Sequence, residues 1–199
     1  MQTIPVRPKT TPSPALALAS WEPEGGILSC SVEYPFVERR EQGPEYPLRD
    51  FLDQQWPQPE TAWIIDAGSL TLDLDDRKRL VEVYLRTNPA DWILQPIQPA
   101  QGDVAEPFLE APFEADGRVR CQPIQEAQYD PQRGIVCLSW GDVDHWCIIA
   151  PRLALGLAAD GGLTKIQMSE FWIPVPKTRG ETTWERVKRK LGLPADRAR

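Results

Sequence analysis

The stretch 134–151, GIVCLSWGDVDHWCIIAP, constrains the fold more than any other part of the chain. Residues 135–140 and 145–150 are runs of apolar, β-branched and aromatic residues, and residues 141–144 between them are turn formers. The pattern predicts a β-hairpin with Leu138 opposite Cys147. Alternation makes both faces of this hairpin apolar, which is typical of strands inside a sheet covered on both sides. It also places Cys137 and Cys147 on opposite faces, so they cannot form a disulfide with each other.

Other segments predict further hairpins. Residues 15–21 and 27–33 flank a loop that contains two glycines, and the alternating leucines at 153–157 are followed by a turn and a strand over 163–173. Single strands are predicted over 62–67, 92–97 and 118–125, the last at a sheet edge because of Pro123. Successive hairpins of this kind indicate an antiparallel sheet.

Three helices are predicted, over 48–56, 73–87 and 182–191. The first has apolar residues at helical spacing, and the third begins with the capping box Thr182-Thr183-Trp184-Glu185. The segment 71–87 also fits an alternating strand through Val81, Val83 and Leu85. Acidic residues at its start and Asn88-Pro89 at its end favour the helix.

These elements predict an α+β fold: a single domain whose largely antiparallel sheet is built from successive hairpins and flanked by two or three helices, without an internal repeat. Residues 1–14 are expected to form a disordered or extended proline-rich arm. The domain spans 15–193 and includes an acidic loop over 98–117, which has five acidic residues and no lysine or arginine. Residues 194–199 form a basic tail.

Composition and charge favour some classes of protein over others. The net charge of −7 argues against nucleic-acid binding, which requires a basic footprint, and no apolar run approaches the roughly 18 residues of a membrane span. No secretory leader is predicted, so we expect a cytoplasmic protein with reduced thiols. Residues 177–199 carry eight basic and three acidic residues, which suggests docking on the chain itself, on a second copy or on an acidic partner.

No metal or cofactor is predicted. The four cysteines form no C-x-x-C pair, and the single histidine cannot complete a zinc site with them. The glycine-rich motifs of nucleotide-binding proteins are missing from the sequence as well.

Three residues are weak catalytic candidates. His145 follows Asp142 and Asp144 and lies two residues from Cys147, Asp66 ends a predicted strand, and Cys121 lies in another. They constitute a site only if the fold brings them together in one sheet crevice. A histidine packed at a hairpin end is the more common structural role of such a residue.

Five aromatic residues are candidates for partner binding. Those at the ends of predicted elements or in the acidic loop are Trp21, Trp56, Phe108, Phe113 and Trp184. Three other tryptophans, Trp63, Trp146 and Trp172, are expected inside the domain.

The function predicted from these observations is a non-catalytic binding or accessory protein that recognises a peptide or protein, as a homodimer. A peptide-binding scaffold in a biosynthetic pathway and an immunity-type inhibitor are both compatible with it. The alternatives are an enzyme with a site around His145 and a small-molecule carrier with an aromatic pocket.

Overall fold

The computed structural model describes residues 4–35 and 61–173, and β-strands dominate both ranges. These residues form fourteen strands and one short 3₁₀ helix, Pro89–Asp91. The strands are β1 Val6–Thr10, β2 Leu16–Glu22, β3 Ile27–Glu33, β4 Trp63–Ala67, β5 Leu70–Leu74, β6 Leu80–Arg86, β7 Ile93–Leu94, β8 Gly102–Leu109, β9 Arg118–Arg120, β10 Glu126–Asp130, β11 Ile135–Ser139, β12 His145–Ala150, β13 Leu153–Leu157 and β14 Leu163–Met168.

The strands form two mixed sheets that share one apolar core. The six-stranded sheet has the order β2-β3-β6-β5-β4-β9, and the eight-stranded sheet has the order β1-β8-β12-β13-β14-β11-β10-β7. One continuous cluster of buried residues draws from both sheets, with Leu28 and Leu72 from the first and Leu138 and Leu155 from the second. Period-two alternation explains why these segments are strands, since leucines at every second position of β5 point inward while Thr71 and Asp73 point outward.

The predicted α+β class is wrong, because no α-helix occurs in the described ranges and the segment predicted as a helix over 73–87 is β-structure. Asp75 explains the error. Its carboxylate accepts hydrogen bonds from the backbone N–H groups of Arg77 and Arg79 at 2.9 and 2.8 Å, and its own N–H donates to the Arg79 carbonyl. The acidic residues therefore stabilise a tight β-turn rather than a helix N-terminus. The helices predicted over 48–56 and 182–191 lie outside the described residues.

The predicted central hairpin is also wrong in its pairing, although its alternation is right. β11 pairs with β10 and β14, and β12 pairs with β13 and β8, so β11 and β12 are not neighbours. Residues 140–144 carry the chain past two strand positions instead of turning it back. As predicted, Cys137 and Cys147 lie on opposite faces, and both are free thiols.

Five other predictions have mixed outcomes. The hairpin of β2 with β3 and that of β13 with β14 are confirmed, and β9 lies at a sheet edge as predicted. The range 98–117 is not simply a loop, because it contains β8. The described part of the proline-rich arm is extended, since β1 pairs with β8 along its whole length.

The two sheets repeat one pattern of strands, contrary to the prediction that the chain has no internal repeat. The run β2-β3-β6-β5-β4-β9 has the same order and the same directions as β10-β11-β14-β13-β12-β8, including a parallel pair at the end of each run. The eight-stranded sheet is therefore the six-stranded arrangement with one further strand at each end, β1 and β7.

The correspondence extends to single residues. Leu28 pairs with Leu85 in one sheet, as Val136 pairs with Met168 in the other. The pairing shifts by one residue between Asp73 and Leu74, and the same shift occurs at the equivalent step between Gly156 and Leu157.

The turns match as well. Gly26 and Gly134 precede equivalent strands and both have a φ of 62°, the left-handed conformation that favours glycine. Matching order, pairing, irregularity and turn conformation show that β10–β14 repeat the arrangement of β2–β6, which we call the internal duplication. The sixth strands differ in connection, since β8 precedes its unit in the chain and β9 follows its own.

Candidate functional site

The catalytic candidates are not assembled into one site. His145 begins β12 in the eight-stranded sheet, and its side chain is half exposed. Its Nδ1 lies 3.3 Å from a carboxylate oxygen of the adjacent Asp144, and no hydrogen bond or ion pair in the described ranges joins it to Asp66 or Cys121. The geometry thus gives His145 an exposed acidic neighbour and no nucleophile.

Asp66 and Cys121 do lie together, at the edge of the other sheet. The Cys121 N–H donates to the Asp66 carbonyl at 2.7 Å, and the Asp66 carboxylate accepts from the Gly68 N–H at 3.0 Å. Partial burial raises the pKa of the Cys121 thiol, and the nearby Asp66 raises it further. A reactive thiolate needs a lowered pKa, so this pair does not form an activated nucleophile.

Two of the three predicted partner-binding aromatics that are described, Trp21 and Phe113, take part in packing. Trp21 points toward the core, where its ring lies edge-on to that of Trp92 at 6.2 Å. Phe113 packs against the Trp63 ring at 5.0 Å, and Phe108 is half buried in β8. Trp56 and Trp184 lie outside the described residues.

Of the tryptophans expected inside, Trp63 and Trp146 are half buried. Trp172 is 61% exposed, so that expectation is wrong. Trp172 follows the last strand of the sheet and lies over the Gly134 turn instead of entering the core.

An apolar surface that was not predicted from the sequence lies on strand β2. Leu16 and Leu18 are 64% and 60% exposed, while Ala15 and Ala17 between and before them are buried. β2 is the last strand of the six-stranded sheet, and its one strand partner among the described residues is β3. The alternation in Leu-Ala-Leu-Ala could have revealed this surface, because it places two leucines on the face opposite the small core residues.

Backbone hydrogen bonds show which groups of β2 face its open edge. The Ala15 N–H donates to the Ile149 carbonyl at 2.9 Å and therefore points away from β3. Backbone directions alternate along a strand, so Ala17, Ala19 and Trp21 also present their N–H and C=O groups away from β3. These groups have no backbone partner in the described ranges.

The surroundings of this edge are acidic. Between residues 15 and 35 the chain carries three exposed acidic residues, Glu22, Glu24 and Glu33, and no lysine or arginine. On the outer face of the same sheet, the side directed away from the core, Asp73 lies directly opposite Glu82. Partial desolvation raises the pKa of both carboxyls, and Asp73 raises the pKa of Glu82 further. The β2-β3 hairpin therefore carries only acidic charges, whereas the outer face carries Arg86 of β6 as well as Asp73 and Glu82.

The equivalent surface of the eight-stranded sheet is covered by the chain itself. β7 pairs in parallel with β10, the counterpart of β2, and residues 95–101, which we call the strap, then cross the outer face of that sheet.

Polar contacts hold the strap along its length. The Ile97 N–H donates to Asp130 at 3.0 Å, which is the main reason why the pKa of Asp130 is lowered. The buried Gln167 side chain accepts from the Ala100 N–H at 2.6 Å and donates to the Gln98 carbonyl at 3.0 Å. Ile97 packs between these contacts against Ile135 and Cys137.

A polar cleft of about 560 Å³ lies beside the strap. Its lining includes the Trp146 ring together with Asp142, Lys165 and the glutamines Gln95 and Gln128. The cleft therefore offers one negative and one positive side chain, together with neutral hydrogen-bond donors and acceptors, around one aromatic ring.

Comparison with known proteins adds no functional assignment: no protein-family model matches the sequence, and no curated protein is similar to it at a significant level. No helix in the described ranges is long and apolar enough to cross a membrane. The same ranges contain no cluster of histidine, cysteine and acidic residues suited to a metal ion.

Proposed function

We propose that this protein is a non-catalytic binding protein that recognises an extended segment of a peptide or protein partner by strand addition to β2. The observation that carries the proposal is the exposed edge of β2, where Leu16 and Leu18 accompany backbone groups without partners in the described ranges. Such an edge templates pairing with another chain, and natural proteins usually protect it with charge, proline or a bulge. β2 contains no proline and no bulge, and its one charged residue is Glu22 at the last position of the strand.

Three further points bear on this proposal. Strand addition derives affinity from main-chain hydrogen bonds and specificity from side-chain pockets, which suits a surface without a catalytic constellation. The four cysteines are free, which supports a reducing compartment such as the cytoplasm. We also propose that the protein is a homodimer. Pairing of β2 with a second β2 would bring two acidic hairpins together, which disfavours this edge as the dimer interface.

The test uses a proline that blocks the edge without disturbing the sheet. Because the Ala19 N–H points away from β3, Ala19→Pro removes a donor that the fold does not use, and edge strands tolerate proline at such a position. Ala19→Ser is the matched control, because it keeps the N–H. We expect wild-type protein and Ala19→Ser to capture the same partner from a native lysate, and Ala19→Pro to lose it.

The stability of each variant is measured in parallel by thermal unfolding. If Ala19→Pro is folded and captures the same partner with unchanged affinity, strand addition at β2 is not the binding mode.

The polar cleft supports a second candidate function, that of a small-molecule carrier. Its volume lies within the usual range for ligand sites, and Trp146 would report binding. Tryptophan fluorescence that changes with a ligand in wild-type protein, but not in Trp146→Phe, would favour this candidate.

A further inference from the structure

The internal duplication shows how the β2 surface would be filled, because the other half of the chain fills its own copy. β10 is the counterpart of β2, and in the pairing Tyr129 takes the place of Trp21 and Asp130 that of Glu22. On β10 this edge is completed by β7, with the Gln95 N–H donating to the Tyr129 carbonyl at 3.1 Å. The Trp21 carbonyl faces the same way on β2, by the alternation established from Ala15.

The strap then crosses residues whose counterparts lie on the outer face of the six-stranded sheet. Ile135 and Cys137, against which Ile97 packs, correspond to Ile27 and Ser29. Gln167, which holds the strap backbone, corresponds to Tyr84. Tyr84 is 36% exposed, and its hydroxyl makes no hydrogen bond within the described ranges.

The two surfaces differ in charge, and this difference indicates the charge of the partner segment. Lys165 beside the strap is replaced by Glu82, and Gly156 is replaced by Asp73. Both acidic side chains lie on the outer face where a crossing segment would pass, and Arg86, which pairs with Ile27, lies on the same face. The β2-β3 hairpin adds three more acids without a base. A segment with lysine or arginine where the strap has glutamine would therefore be preferred.

Resting on the proposed function, we infer that the partner is an extended, proline-containing basic segment, which runs parallel to β2 at Ser20 and Trp21 and then crosses Ile27, Ser29 and Tyr84 as the strap crosses its own sheet. A proline suits such a segment, because the strap turns from the edge onto the face through Pro96 and Pro99. The inference concerns the chemistry of the occupant, whereas the proposed function concerns only the binding mode.

The test uses peptides of the strap itself as probes for the full-length protein. The first probe is residues 92–101, WILQPIQPAQ. The lysine peptide carries Gln95→Lys, Gln98→Lys and Gln101→Lys, and the glutamate peptide carries glutamate at the same three positions. All three side chains are exposed in the strap, so the substitutions change charge without changing the apolar contacts.

Isothermal titration should rank the peptides by charge. We expect the lysine peptide to bind about tenfold or more tightly than the glutamate peptide at low salt, and this ratio to shrink as salt screens the exposed charges. Ala19→Pro should abolish binding and Ala19→Ser should retain it. Tyr84→Ala should weaken binding of the lysine peptide. Leu94→Ala in the protein, on the far sheet edge, should leave this affinity unchanged.

Each outcome is decisive. Equal affinities for the lysine and glutamate peptides would overturn the basic preference and leave strand addition intact. If none of the three peptides binds while Ala19→Pro still loses its captured partner, the strap is the wrong guide and the proposed function survives alone.

Two other occupants of the edge would be detected directly. A wild-type dimer that Ala19→Pro converts to a monomer would assign the edge to a second copy and overturn the inference. Amide protection of Ala17, Ala19 and Trp21 against hydrogen exchange in the free monomer would assign it to the chain's own remaining residues, with the same consequence.

Discussion

At the scale of single residues, burial determines which reactive side chains are inaccessible to reagents. Cys30, Cys137 and Cys147 are buried, and burial raises the pKa of Cys30 to about 12 and that of Cys147 to about 11. Cys121 is half buried, so its thiol is the most accessible of the four although its pKa is also raised. The thiols therefore serve mainly as small apolar side chains.

Accessibility predicts the order of thiol modification. At pH 8 a thiol reagent such as 5,5′-dithiobis(2-nitrobenzoic acid) should modify Cys121 first and leave the other three protected until the protein unfolds. Mass mapping of the modified residue checks this, with Cys121→Ser as the control that removes the fast phase. Rapid modification of Cys30 in the native state would contradict the burial on which the prediction rests.

The facing carboxyls of Asp73 and Glu82 predict a stability that depends on pH. A carboxyl whose pKa is raised by folding favours the folded state when protonated, and this contribution is lost as the pH rises through its folded pKa. At pH 7 both groups are ionised opposite each other. Glu82→Gln should therefore raise the free energy of unfolding by the few tenths of a kcal/mol typical of cross-strand charge pairs, and the melting temperature should rise with it. As the pH falls and both carboxyls become protonated, the difference should vanish.

The control for that measurement is Glu24→Gln, at an exposed turn position away from the pair. If Glu82→Gln lowers stability at pH 7, Glu82 has a stabilising partner and the repulsion argument is wrong. The same substitution should weaken binding of the lysine peptide, so that the stability of the protein rises while its affinity for the peptide falls.

At the scale of elements, the strap covers the outer face of one sheet, and no segment of the described ranges covers the equivalent face of the other. The Gln167 side chain is buried and bonds two backbone groups of the strap, whereas Tyr84 at the equivalent position is partly exposed. A buried polar side chain that closes two backbone bonds fixes a segment in place. The same position without such bonds leaves a surface that another segment can use.

This difference predicts unequal effects of two equivalent substitutions. Gln167→Ala leaves the Ala100 N–H and the Gln98 carbonyl without their partners and should cost about 2–3 kcal/mol of unfolding free energy. Tyr84→Ala should cost less than about 1 kcal/mol, since it removes a partly exposed side chain. Urea denaturation checks both values. Equal costs would show that the outer face of the six-stranded sheet is as firmly covered as that of the other.

At the scale of the whole molecule, one core joins the two copies of the repeat. Leu72 and Leu155 occupy equivalent positions in opposite sheets, and both are fully buried in the same cluster. Because each sheet buries its inner face against the other, neither copy retains a dry core alone.

The shared core predicts a single cooperative unfolding transition. Leu72→Ala and Leu155→Ala should each lower the unfolding free energy by about 2–5 kcal/mol, and the transition should remain single in both variants. Fluorescence and circular dichroism followed through the same urea titration check this. Two separate transitions would mean that the copies fold independently.

The local features that depend on neighbouring residues follow from the sequence alone. Alternation identified β2, β3, β4, β13 and β14, and placed Cys137 and Cys147 on opposite faces. The sequence also excludes zinc-finger and nucleotide-binding motifs, since those require residue spacings that the chain lacks. Residues 73–87 show the limit of such patterns, because acids that suit a helix N-terminus also suit a turn, and the burial of Leu80, Val83 and Leu85 settled the choice.

Strand neighbours follow from the tertiary fold. Residues 141–144 permit a tight hairpin, yet β14 lies beside β11 because the β12-β13-β14 meander returns there. The duplication was hidden for the same reason: pairing and burial maintain it, and many different apolar residues satisfy them equally well. The exposed edge of β2 and the strap that covers its counterpart are likewise properties of strand order, which no single stretch of sequence contains.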